Sequence, residues 1–126
     1  MREKKTIENY LKTIYALSMN QEPHAYMIAD ELGVTRPTVS VYLRNLERDG
    51  YLTIERGKVI YLTPKGESIA KPVYERFQIL QRFLAALGVS EKNAYHDACQ
   101  MEHCLGIESY EALKKLAVNL EQNAQA

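Results

Sequence analysis

Residues Ala25 to Gly50 read AYMIADELGVTRPTVSVYLRNLERDG, and this stretch of 26 residues, with the apolar hairpin sequence behind it, decides the fold. Apolar side chains at Met27, Ile28 and Leu32, then at Val39, Tyr42, Leu43 and Leu46, recur at steps of three and four. That spacing lines up one face on each of two successive helices. Gly33 lies between them, where a residue tolerant of positive φ ends one helix and turns the chain within a few residues. Thr35 is placed to cap the second helix, with Pro37 in its first turn, where the missing N–H costs nothing. Thr35, Arg36, Pro37, Thr38 and Ser40 crowd the start of that helix, and Arg44 and Arg48 follow. Small hydroxyls and a guanidinium at a helix N-terminus suit the major groove of a duplex, because recognition helices address bases and phosphates with that end. A guanidinium on guanine is worth about 1–3 kcal/mol of discrimination, and Arg36 is the candidate for that contact.

Asp49-Gly50 closes the second helix, and Tyr51 to Thr63 (YLTIERGKVIYLT) reads as two alternating strands joined around Arg56-Gly57-Lys58. The hairpin is thus a wing with a basic tip, placing Arg56 and Lys58 near phosphate. Each piece alone suits a plain three-helix core with a solvated loop equally well. Helix, glycine corner, hydroxyl-rich second helix and basic-tipped hairpin in that order describe a winged helix-turn-helix, with double-stranded DNA as the leading partner.

The rest of the chain extends this plan. Ile7, Tyr10, Leu11, Ile14 and Leu17 share one stripe, predicting a first helix over Thr6–Leu17 with Thr6 as its cap. Thr63-Pro-Lys-Gly66 opens a long helix that runs to about Leu87 and includes Pro72, which is expected to bend it. Ser90 caps another helix predicted to continue through Cys104, and Gly106 precedes a last one from about Glu108 to Leu120. Such short helices cannot bury both faces alone. The expected architecture is therefore mainly α: a winged helix-turn-helix with a two-stranded β wing in residues 1–71, a long linking helix, and a helical dimerisation domain in residues 72–126. A C2 dimer would present two recognition helices about one DNA turn apart.

Net charge is zero over 126 residues, but it divides unevenly. Met1 to Lys71 carries 11 Lys/Arg against 9 Asp/Glu, and the remainder 5 against 7, so the parts hold +2 and −2. Modest non-specific affinity follows, with specificity resting on a few contacts and on a doubled site. No apolar run approaches the roughly 18 residues that span a bilayer, and no apolar segment follows the basic N-terminus, so no membrane partner and a cytoplasmic location are expected. Cys99 and Cys104 are too few for a disulfide framework, and five residues apart on a helix they point different ways.

Cys99-Gln-Met-Glu102-His103 places a thiol, a carboxylate and an imidazole at i, i+3 and i+4, on one helical face if the helix continues. These are transition-metal donors, although an isolated cysteine on a helix is more often a small buried hydrophobe. Tyr95 and His96 lie one turn earlier.

Taken together, IENYLKTIY (Ile7–Tyr15), IADELGVTRPTVSVYLRNLERDGYL (Ile28–Leu52), LTPKG (Leu62–Gly66) and DACQMEH (Asp97–His103) give a chain that resembles the diphtheria toxin repressor family of metal-dependent regulators. The likeness runs from about Lys5 to Leu120, in size closest to the manganese transport regulator branch. It implies a homodimer that binds palindromic operators when a divalent cation joins the first helix to the second domain, usually as a repressor. Carried over by position, Glu102 and His103 fall on ligand positions of that family, and Cys99 matches the thiol of the iron-sensing branch. A first-helix ligand falls at Asn9, a second acidic ligand at Lys12 and a ligand histidine at Phe77. The resemblance thus implies Cys99, Glu102, His103 and the weak amide oxygen of Asn9 as metal residues. Iron, manganese, cobalt, nickel and zinc are the candidate ions, and a thiolate with an imidazole disfavours Mn²⁺, a hard ion. Alternatively, the Lys12 ammonium takes the place of the cation and pairs with Glu102, giving metal-independent binding. A protein-docking winged helix, supported by the zero net charge, is a reading from another class. An enzyme on Cys99 and His103 lacks an oxyanion hole or a glycine-rich loop, and is not expected.

Overall fold

The computed structural model describes residues 3–125, and side chains as far as residue 122. Its order is α1 (Lys4–Ser18), α2 (Ala25–Leu32), α3 (Arg36–Arg48), β1 (Leu52–Ile54), β2 (Ile60–Leu62), α4 (Pro64–Ala86), α5 (Glu91–Met101) and α6 (Ile107–Gln125). Contacts divide the chain into two compact units, residues 1–74 and 75–126, with the division inside α4.

In the first unit the apolar stripes of the sequence meet. Tyr10, Leu11 and Ile14 of α1, Ile28 and Ala29 of α2, and Val39, Leu43 and Leu46 of α3 form one buried cluster, closed by Leu52, Ile60 and Ala70. The turn from α2 to α3 is set by Gly33, whose φ of +68° is strained for any side chain. Val34 N–H then donates to Ala29 O at 3.1 Å. The strands pair antiparallel, Leu52 opposite Leu62 and Ile54 opposite Ile60. They are shorter than the alternating run of sequence, because the tip tightens into a 3-10 turn over Arg56–Lys58. Lys58 N–H donates to Glu55 O at 2.9 Å, with Gly57 at φ +74° and Lys58 at φ +62°.

The last turn of α3 is tied to the first turn of α4. Thr63 Oγ1 donates to Gly50 O at 2.6 Å and accepts from Gly66 N–H at 3.2 Å. Lys65 Nζ donates to Asp49 O at 2.8 Å and lies 4.4 Å from the centre of the Tyr51 ring. Gly66 explains why LTPKG ends in glycine. A Cβ there would stand 2.0 Å from the Tyr51 carbonyl oxygen, which is backbone and cannot move aside cheaply.

In the second unit Ile79, Tyr110 and Ala117 are buried together, with Phe83 and Leu105 against them. Arg76 lies over the Tyr110 ring at 4.8 Å and its Nη2 donates to Leu105 O at 2.6 Å. Arg82 Nε donates to Glu121 Oε1 at 2.7 Å, and Lys114 Nζ to Glu75 Oε1 at 3.0 Å, so α4 and α6 are pinned at two further points.

Three helix ends depart from expectation. α1 starts at Lys4 with Glu3 at the N-cap, because Ile7 N–H reaches Glu3 O at 3.1 Å; Thr6 is inside the first turn and does not cap it. α5 stops at Met101, not Cys104, since the amides of His103 and Cys104 donate three residues back, to Gln100 O at 3.3 Å and Met101 O at 3.0 Å, and tighten the chain out of the α register. α6 runs beyond Leu120 to Gln125, with Glu121 held by Arg82.

Gly66→Ala is expected to cost about 1–3 kcal/mol through overpacking against Tyr51. Gly106→Ala, which meets nothing within 4 Å, should stay within about 0.5 kcal/mol of the parent, or stabilise slightly. Thermal unfolding of the two variants measures the difference.

Candidate nucleic-acid interface and metal donors

Burial of Val39, Leu43 and Leu46 leaves the opposite face of α3 in solvent, and Thr35, Arg36, Pro37, Thr38, Ser40 and Arg44 are all exposed there. Thr35 is extended at φ −75°, ψ 153°, and its Oγ1 accepts from Thr38 N–H at 3.3 Å and lies 2.8 Å from Thr38 Oγ1. The two hydroxyls therefore order each other at the helix start, and Pro37, which has no N–H to satisfy, is in the first turn of an end favourable to anions. Arg44 Nε donates to Ser40 O at 3.4 Å, which lays its guanidinium back along the helix.

Between α3 and the wing runs a groove of about 310 Å³ lined by Ala25, Ser40, Leu43, Arg44, Ile54, Lys58 and Ile60. Arg44 and Lys58 bring cationic side chains to it from its two sides, while Arg56 is exposed at the wing tip. The wing is held by Glu47 of α3, whose Oε2 accepts from Ile54 N–H at 2.8 Å, and by Ile60 N–H donating to Pro23 O at 2.9 Å. Of the residues singled out from sequence, Ser40, Arg44 and Lys58 line this groove, and Thr35, Arg36, Pro37, Thr38 and Arg56 are exposed.

Two contributors to that surface escape a reading of periodicity. Glu47 looks like an ordinary solvated charge, because its acceptor role depends on where β1 returns. Tyr26 stands off the apolar stripe of α2, is 46% exposed, and carries the Arg36 guanidinium carbon 5.8 Å from its ring centre.

In the second unit Cys99 is half-buried on α5, Glu102 is its C-cap and His103 lies in the turn beyond. The helix thus ends before His103, although Glu102 N–H still donates to Ala98 O at 3.1 Å. His103 Nε2 lies 3.3 Å from Glu102 Oε1, with side chains 5% and 0% exposed. Phe77 is buried on α4 and meets Tyr95 edge to face, centroids 5.2 Å apart at 80°. In the first unit Asn9 is half-buried on α1 and Lys12 is buried. His96 is exposed.

Comparison with known proteins places both units. Residues 4–60 match the family model described as the iron dependent repressor N-terminal DNA binding domain, and residues 63–125 that of the iron dependent repressor metal binding and dimerisation domain. The chain is 33% identical over 119 residues to the HTH-type transcriptional regulator MntR of Lysinibacillus sphaericus, covering 94% of this chain and 86% of that one. To the MntR of Geobacillus thermodenitrificans it is 35% identical over 102 residues, 79% of this chain and 72% of the relative. Among solved structures, the manganese regulator SloR superposes with a TM-score of 0.74 at 27% identity, covering 95% of this chain. The chain spans about half, 55%, of that larger protein.

The donors present meet the needs of a cation in part. A buried carboxylate and imidazole already approach one another, and thiolate, carboxylate and imidazole are all transition-metal ligands. Among the described residues, however, no three His, Cys, Asp or Glu side chains converge.

Glu47→Ala is expected to speed amide exchange at Ile54, since its charged acceptor is lost, while Glu47→Gln, which keeps an acceptor oxygen, retains most of the protection. Exchange followed by NMR reads both.

Proposed function

The chain belongs to the iron-dependent repressor family, transcriptional regulators and not enzymes, and from that premise we propose that it binds palindromic operator DNA as a homodimer in the cytoplasm. The observation that carries the proposal is the single exposed surface formed by the hydroxyl-capped start of α3 and the cationic groove beside the wing. Thr35, Arg36, Pro37, Thr38, Ser40 and Arg44 are assigned to the major groove, and Arg56 and Lys58 to phosphate. The effector is proposed to be a divalent transition metal, with Cys99, Glu102 and His103 as donors and Asn9 as a weak further one. The described metal-binding domain of the family and the approach of Glu102 to His103 support it. When bound, such an ion supplies positive charge and fixes the groups that ligate it. Cys99 must lose its proton to take part, so affinity for the ion rises with pH.

One pair of observations favours a second reading, operator binding without a metal. No three donors converge among the described residues, and α1 carries a buried amine, Lys12, 7% exposed.

Arg56→Ala and Lys58→Ala should each weaken binding about equally on operator and on random duplex, and lower the salt slope by about one unit. Affinity that ignores salt would instead support the protein-docking module. Retardation of operator duplex, selected by the protein from a randomised pool, is next compared in EDTA and with Fe²⁺, Mn²⁺, Co²⁺, Ni²⁺ or Zn²⁺ restored. Loss in chelator and recovery with one ion supports the metal effector, and unchanged retardation in chelator supports metal-free binding.

A further inference from the structure

Arg36 is the first residue of α3, at the positive end of the helix dipole. A guanidinium there is disfavoured in the protein alone and becomes favoured as an anionic ligand approaches. Its neighbour comes from a different helix. The guanidinium carbon stands 5.8 Å from the centre of the Tyr26 ring, within the range over which an aromatic face attracts a cation. Tyr26 lies in the first turn of α2, and its ring is stacked with the imidazole of His24 at the N-cap, centroids 5.9 Å apart and planes at 23°. Burial does not account for a ring that remains 46% exposed, because Ile28 and Ala29 of the same helix, 0% and 4% exposed, already supply the contact with the core.

We propose that Tyr26, backed by His24, is a positioning residue for DNA recognition, a platform that orders the Arg36 guanidinium before the duplex arrives. This rests on the reading that the start of α3 meets DNA. An arginine side chain has considerable rotamer freedom, and ordering it in advance lowers the entropy lost on binding. A cation–π contact also suits the chemistry. It uses no N–H donor of the guanidinium, so the fork that matches guanine O6 and N7 or a phosphate stays available to the duplex. An arginine ordered in this way is accordingly a selective reader, where a loose one contributes mainly charge.

Fluorescence anisotropy with an operator duplex selected by the wild-type protein, and with a scrambled duplex of equal length, tests the assignment in the full-length protein. Arg36→Ala should lower operator affinity at least tenfold and reduce the operator-to-scrambled ratio. Tyr26→Ala should lower operator affinity about two- to five-fold, the exposed cation–π range expressed as an affinity ratio, and reduce the same ratio. Tyr26→Phe, which keeps the ring, should restore both. In the Arg36→Ala background Tyr26→Ala should cost nothing further. An equal cost in both backgrounds, or no cost in either, overturns the positioning role, and equal thermal midpoints for the Tyr26 variants exclude a folding effect. Arg36→Ala without effect on the operator would instead bring down the DNA reading of α3, and the platform with it.

Discussion

Burial of one side of α3 is the constraint on which the first unit depends. Val39, Leu43 and Leu46 are at most 2% exposed, and each such side chain contributes about 1.5–3 kcal/mol relative to exposure. Rotating the helix to hide its polar side would forfeit those contacts. The outward direction of Thr35, Arg36, Ser40 and Arg44 is therefore a consequence of the core, and their chemistry is available to a ligand without further rearrangement. α1 and α2 supply the opposing surface, with Tyr10 stacked on Tyr42 of α3 at 4.3 Å and 18°.

The two ends of α3 are secured differently, and each anchorage serves the surface. At its start the Thr35–Thr38 pair satisfies an otherwise orphaned donor while leaving the end open to anions. At its finish Thr63 Oγ1 and Lys65 Nζ donate to the Gly50 and Asp49 carbonyls just past the last turn, and Gly66 N–H donates to Thr63 Oγ1, so the chain leaving α3 is tied to the start of α4. The wing hangs from the same helix through Glu47. Groove and wing consequently move as attachments of α3, and Arg44 and Lys58 keep their places across the groove.

The second unit combines an ordinary apolar centre with an unusual polar edge. Arg76 is held by a carbonyl and an aromatic face, and α6 is tied to α4 by Arg82 and Lys114. At the end of α5, by contrast, a carboxylate and an imidazole sit together with almost no exposure. Burial of such groups is costly unless they are satisfied by partners, and here each is within reach of the other.

Sequence alone determined the helical stripes, the glycine corner at Gly33, the Thr35 cap and the basic hairpin, because each depends on residues within a few positions of one another. It placed Thr35, Arg36 and Ser40 at the start of the second helix for the same reason, as caps and helical spacing are local properties. Tertiary structure decided the rest. Gly66 is required only because the Tyr51 carbonyl returns beside it, Glu47 acquires a partner only when β1 folds back, and Tyr26 meets Arg36 only after Gly33 has turned the chain. Cys99, Glu102 and His103 show the limit most directly. Their spacing predicted a common helical face; the helix ends at Met101, and the approach of Glu102 to His103 is visible only in the structure.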